Sequence, residues 1–266
     1  MVNQGQVEAR IQSIGRARAL MDAMGSGQWT SLRDLAERTG LLKTTAFNLV
    51  NALVDVGLVE RDVETGSYRL GMQNLIYGRA VERRLDILSI AKPHLVRICA
   101  ETRETVNLAL PGPTEATIVE SLEGTQTLRV SSYAGTPASY HATACGRALL
   151  AFQPEGFRRL IYSLGPLPKL TDATITGPDE LEAVLASCRD KGWVLEREEN
   201  EVGSTCIAAP IFDPAGKAVA AVSVAGPTAR FQPQAIEDLA VLLIARLADV
   251  TADLARTGMA LPVARK

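Results

Sequence analysis

SLRDLAERTGLLKTTAFNLVNALVDVGLVERD, residues 31–62, contains two short amphipathic segments joined by a glycine turn. Ser31 is placed to cap the first, with Asp34 at the third helical position as a capping-box variant. Leu32, Leu35 and Ala36 give that segment one apolar face, and Thr39-Gly40 stops it. The second begins near Lys43, keeps Ala46, Leu49, Val50 and Leu53 for a core, and ends at Gly57. Two short helices around a tight turn containing glycine form a helix-turn-helix. Upstream, Ile11, Ile14, Leu20, Met21 and Met24 recur at helical spacing until Gly25-Ser26-Gly27. Downstream, Leu58–Arg61 and Ser67–Leu70 alternate around Glu64-Thr65-Gly66, which reads as a hairpin. A hairpin behind the second helix is a wing, so residues 9–71 are expected to form a winged helix that binds DNA.

On the second helix, Lys43, Thr44, Thr45, Phe47, Asn48 and Asn51 are not needed for the core. Lys43, Thr44 and Thr45 occupy the first turn, where side chains and free backbone N–H groups meet phosphate. Asn48 lies further along the outward face and has the geometry to read adenine in the major groove. Phe47 either meets a thymine methyl or packs within the domain. Arg61 and Arg69 on the wing are weaker candidates, because arginine on a hairpin is commonly only solvated.

The rest of the chain is bounded by composition. Twenty-eight Lys and Arg face thirty Asp and Glu, and residues 1–84 lean basic while the remainder is acidic. That asymmetry allows a nucleic-acid partner for the first third without demanding one. No eighteen-residue apolar run and no signal-peptide core are present, so the chain is expected to remain in the cytoplasm. Cys99, Cys145, Cys188 and Cys206 are scattered without CxxC spacing, which argues against structural zinc and against disulfides. Neither a metal nor a cofactor is expected. Residues 72–88 read as a helix, with 72–86 linking two domains. Over 87–257, helices at 86–101, 143–153, 156–164, 179–191 and 234–256 flank candidate strands at 105–110, 116–122, 127–133, 193–198, 205–212 and 217–224. Such an order predicts an α+β domain around one antiparallel sheet.

Three segments of that domain offer a ligand site. Thr143 is able to cap the helix that starts in Tyr140-His141-Ala142-Thr143-Ala144-Cys145-Gly146. The free N–H groups of Ala144, Cys145 and Gly146 would then face a carboxylate, with Gly146 permitting close approach. Glu196 opens a run of charges ending in the turn at Gly203, read as a solvated loop beyond Glu196. The strands at 206–211 and 220–225 carry small residues on one face, with Cys206 and Ser223 as polar handles.

With residues 31–62 joined by YRLG (68–71), HATACGRALLA (141–151), EREENEVGSTCIAAPIFD (196–213) and AAVSVAGPTARF (220–231), the sequence resembles the IclR family of bacterial transcriptional regulators. The resemblance spans residues 11–257. It implies a winged helix, a linker helix and a GAF-like effector-binding domain. It further implies homodimers or homotetramers on palindromic double-stranded operators, and small organic acids as effectors. Carried over residue by residue, effector contacts fall on Ala144, Cys145, Glu196, Cys206, Ser223 and Ala225. Asn48 stands where the family commonly has Arg, so the operator is expected to differ. Ala225 replaces a Ser of small-acid sensors, and Cys145 replaces a smaller residue. Both point to a less polar pocket, with Tyr133, Tyr140, Trp193 and Phe212 as candidate walls, His141 close by, and an aromatic or medium-sized carboxylate or amide-like effector. A repressor is expected over an activator.

Two rival readings start from Cys145. A thiol at a helix N-terminus is a candidate redox sensor, and with His141 four residues away it is a candidate nucleophile. No third orienting group is evident, and an attached winged helix suits a hydrolase poorly. A third rival is an architectural DNA-binding protein without an effector.

Overall fold

The computed structural model describes residues 11–82, 86–213 and 215–257, and they fall in two compact units that divide between residues 84 and 85. No described helix is long and apolar enough to cross a membrane.

In the first unit, α1 (Gln12–Ala23), α2 (Leu32–Thr39) and α3 (Lys43–Asp55) surround Leu20, Met24, Leu35, Ala46, Val50 and Leu53. The Ser31 hydroxyl accepts from the Asp34 backbone N–H at 3.2 Å and donates to the Asp34 carboxylate at 2.8 Å. Asp34 therefore completes the cap through its own side chain rather than reaching back to the Ser31 N–H. Gly40 turns the chain at a φ of 66°, a conformation that costs other residues strain. The hairpin of β1 (Val59–Arg61) and β2 (Tyr68–Leu70) pairs Glu60 with Arg69. Tyr68 also exchanges two backbone hydrogen bonds with Thr30, at 2.8 and 2.9 Å, which ties the wing to the entrance of α2. α4 (Gln73–Glu82) follows; residues 83–85 of the expected linker helix lie outside the described residues.

The second unit is built on one six-stranded antiparallel sheet. Its strands are β3 (Thr105–Leu110), β4 (Ala116–Leu122), β5 (Pro137–Ala138), β6 (Val194–Arg197), β7 (Ser204–Phe212) and β8 (Ala218–Pro227), in the spatial order β5-β4-β3-β8-β7-β6. Alternation along the strands sorts the side chains onto two faces. Val106, Leu108, Ile207, Ala209, Val222 and Val224 pack against α5 (Asp86–Thr102) and α9 (Pro233–Thr257). Ala109, Ala208 and Ala221 pack on the other side, with α6 (Ala144–Leu150), α7 (Glu155–Ser163) and α8 (Pro178–Lys191). The fold is α+β.

The strand expected at 127–133 does not form. Leu128 and Tyr133 are 68% and 66% exposed, so the apolar residues of that alternation have no core to enter. The Val130 carbonyl accepts from the Thr105 hydroxyl instead, and the edge of the sheet is the two-residue β5.

Candidate functional site

The outward face of α3 carries the residues selected for DNA. Thr44, Phe47, Asn48 and Asn51 are spaced i, i+3, i+4, i+7 and so lie along one stripe, away from buried Ala46, Val50 and Leu53. Lys43, Thr44 and Asn48 are exposed, Thr45 and Asn51 partly so. None of these five side chains hydrogen-bonds to another described residue. Phe47 is 43% exposed and stands outside the unit's core. Leu42 supplies no side-chain cap, which leaves the first-turn N–H groups of α3 open to an external acceptor. The wing is more committed. Arg69 is ion-paired to Glu60 at 2.9 Å and lies over the Trp29 ring at 4.4 Å, while Arg61 is exposed beside Tyr68.

In the second unit the site is set by sheet register. One row across the face beneath α6 reads Ser121 on β4, Asn107 on β3, Ser223 on β8 and Ala208 on β7. The adjacent row reads Thr105, Ala225, Cys206 and Glu196. Asn107, Ser223, Ala225, Glu196 and Cys145 are all buried. Burial raises the Glu196 carboxyl, partly offset by the backbone N–H groups of Asn200 and Glu199, which donate to it at 3.1 and 2.6 Å. A raised carboxyl keeps its proton more readily than an exposed one.

α6 is held over this floor by its first turn. Thr143 caps it, accepting from the Gly146 N–H at 3.0 Å. Gly146 is indeed needed for a close approach, but the approach is to its own chain: a Cβ there would lie 2.1 Å from the Ser139 carbonyl oxygen. Ala144 is buried in the same turn.

Other expectations are corrected. Cys145 is not an activated thiol, because burial pushes it up to about 12 and the Ser223 hydroxyl offsets little of that. Its sulfur lies 3.8 Å from the Ala221 carbonyl. The His141 ring bonds the Pro168 carbonyl at 2.9 Å, and burial lowers its pKa. Among the described residues His141 and Cys145 share no hydrogen bond, and a neutral thiol is a poor redox sensor. Cys206 is likewise raised, by burial and then by Glu196. Tyr133 is exposed and forms no wall. The Tyr140 hydroxyl is spent on Gly112, donating to its carbonyl at 2.8 Å and accepting from its N–H at 3.1 Å. Trp193 packs on the opposite, α5–α9 face. Phe212 sits six residues from Cys206 along β7, about 20 Å away.

Sequence reading missed three groups. Asn107 is the only amide in the apolar strand TVNLAL (105–110), a signal available in the sequence. Arg147 is 1% exposed, and its two terminal nitrogens both bond the Glu199 carboxylate while Nε donates to the His141 carbonyl at 2.7 Å. Glu199 is therefore no solvated loop residue. Its carbonyl and that of Glu198 accept from Thr174 and Thr171 at 2.6 Å each, which fastens the segment 165–177 beside the site.

Comparison with known proteins settles the family. The profile of the bacterial transcriptional regulator IclR C-terminal domain matches residues 79–252, and the IclR helix-turn-helix domain matches residues 13–63. The chain belongs to the IclR family. HTH-type transcriptional regulator BhcR of Paracoccus denitrificans is 33% identical over 221 residues, covering 83% of this chain and 79% of BhcR. Transcriptional repressor IclR of Escherichia coli is 30% identical over 246 residues, covering 91% and 89%. An IclR homologue from Microbacterium hydrocarbonoxydans, solved in complex with 4-hydroxybenzoate, superposes with a TM-score of 0.74 at 26% identity, covering 91% of this chain and 98% of that one. This IclR-family chain is thus an HTH-type transcriptional regulator, and these relatives are named as regulators rather than enzymes.

Proposed function

We propose that this regulator is a repressor whose hold on its operator is controlled by a small aromatic or medium-sized organic carboxylate bound between α6 and the sheet. The observation that carries this reading is the buried polar group of Asn107, Glu196 and Ser223, set with buried Cys145 and partly buried Cys206 against an apolar cluster. Buried polar side chains demand partners, and a ligand with one charged end and an apolar body suits such a floor. The replacement of a polar residue by Ala225 favours the apolar body, and the complex of the Microbacterium homologue with 4-hydroxybenzoate supports an aromatic acid. The E. coli relative named as a repressor supports the sign.

The chain acts as a homodimer or homotetramer on a palindromic site, because one recognition helix reads few base pairs. Exposed Ile11, Ile14, Met72, Leu75, Ile76 and Tyr77 support association between copies.

Binding of the full chain to a duplex selected from a random library tests the effector. Benzoate or 4-hydroxybenzoate is expected to weaken that binding at least tenfold and to raise the unfolding temperature. A response to pyruvate alone would overturn the aromatic assignment. Silence toward a broad panel of acids would leave an architectural DNA-binding protein.

Direct readout makes a separate prediction. Asn48→Ala should cost about 1–3 kcal/mol and relax preference at one base pair, whereas Lys43→Ala should weaken all sequences alike and flatten the salt slope by about one. A uniform loss for Asn48→Ala would make it a positioning residue.

A further inference from the structure

β3 crosses the middle of the sheet with one polar side chain on the α6 side that lacks a full set of partners. Asn107 is 6% exposed. Its Nδ2 donates to the Ser223 hydroxyl over a long 3.5 Å, and its Oδ1 has no partner at all. Its registered neighbour on β4 is Ser121, whose hydroxyl oxygen is also buried and also without a partner. Directly opposed residues of antiparallel strands hold their Cβ atoms about 5 Å apart, so one small group reaches both. Two unsatisfied polar atoms side by side in a core are uncommon in native proteins, and each calls for a partner.

We propose that Asn107 and Ser121, together with Ser223, form a hydroxyl-reading subsite of the effector pocket, so that the effector is a hydroxylated carboxylic acid. The inference rests on the aromatic-acid reading above and adds a second functional group to it. A hydroxyl donates to Asn107 Oδ1 while accepting from Ser121. It equally serves the amide turned the other way, since a hydroxyl is both donor and acceptor. A second carboxylate is served only by the amide turned the other way, and a bare ring would leave both atoms unpaired. Two strand spacings across and two residues along, about 12 Å in all, separate the β3 and β7 positions of Asn107 and Cys206. The hydroxyl and carboxylate then sit at opposite ends of a single ring, the acid toward Cys206 and Glu196. Sites that hydrogen-bond a ligand hydroxyl discriminate strongly against the analogue lacking it.

Calorimetric titration of the full chain with 4-hydroxybenzoate and with benzoate tests this. Wild type is expected to prefer the hydroxylated acid at least tenfold. Asn107→Leu, close in shape but apolar, should bring the ratio near one, while its ligand-free unfolding temperature stays at or above that of wild type. Ser121→Ala should cut the ratio several-fold and serves where Asn107→Leu does not fold. If wild type binds both acids equally, or if the variants keep the wild-type preference, the subsite is overturned and the effector reading stands. If neither acid binds, the aromatic-acid reading falls and the subsite with it. A fall in the ligand-free unfolding temperature of Asn107→Leu, with the preference unchanged in Ser121→Ala, would make Asn107 structural and also overturn the proposal.

Discussion

Arg147→Met is expected to destabilise the second unit by about 3–5 kcal/mol, the usual loss when one member of a buried ion pair is removed. Arg147 is 1% exposed and the Glu199 side chain 12%, so the arginine has no water to fall back on and the carboxylate little. The substitution strands the Glu199 carboxylate and takes the Nε donor from the His141 carbonyl. For a unit of this size each kcal/mol moves the unfolding temperature by about 2–4 °C, so a fall of about 6–20 °C should appear by calorimetry. The damage should not stop at stability. Glu199 also donates its N–H to Glu196, and its carbonyl holds Thr174, so the loop beside the proposed ligand floor loses its anchor. Ligand response is expected to vanish in any Arg147→Met that remains folded. The double variant Arg147→Met, Glu199→Leu separates charge from packing. Replacing a buried pair by apolar groups is often neutral, so the double variant should recover most of the lost stability. A double variant no more stable than the single would show that packing around the Arg147 stem, not the charge pair, holds the loop.

This pair illustrates which parts of the molecule were legible in the sequence. The first unit was readable because its signals are local. Ser31 and Asp34 are three residues apart, Gly40 and Gly57 stop helices that end beside them, and the wing pairs residues seven to eleven apart. The second unit depends on register between distant strands. Nothing near Asn107 says that it will oppose Ser223, which is 116 residues away, and nothing near Glu199 says that Arg147 will reach it across 52. A charge run such as 196–201 looks solvated until one of its members acquires a buried partner. The same distance effect lies behind the rival reading of Cys145 as an activated thiol. A helix N-terminus lowers a thiol pKa, but that local effect is smaller than burial against β8, which could not be read from 140–146 alone. Residues 127–133 alternate as a strand should, yet alternation without a pairing partner does not make one.

Gly146→Ala is expected to lose about 2–5 kcal/mol. The methyl would sit 2.1 Å from the Ser139 carbonyl oxygen and 2.7 Å from the Thr143 hydroxyl oxygen. Neither can retreat, because the Thr143 hydroxyl donates to that same carbonyl at 2.8 Å while accepting from the Gly146 N–H. Cap and close approach are therefore one structure, and the methyl breaks both. A lost cap costs about 0.5–2 kcal/mol, and overpacking about 1–3 kcal/mol more. The unfolding temperature should fall by about 4–20 °C. Gly156→Ala is the control: no atom lies within 4 Å of the new methyl, and in α7 a glycine is a poor helix former, so stability should hold or rise. The contrast decides what Gly146 is for. A glycine kept only to admit a ligand would, as alanine, block binding while the free protein melted as before. A glycine that seats α6 on the Ser139 carbonyl loses stability first, and would weaken the proposed ligand site because Cys145, the preceding residue, is no longer held against the sheet.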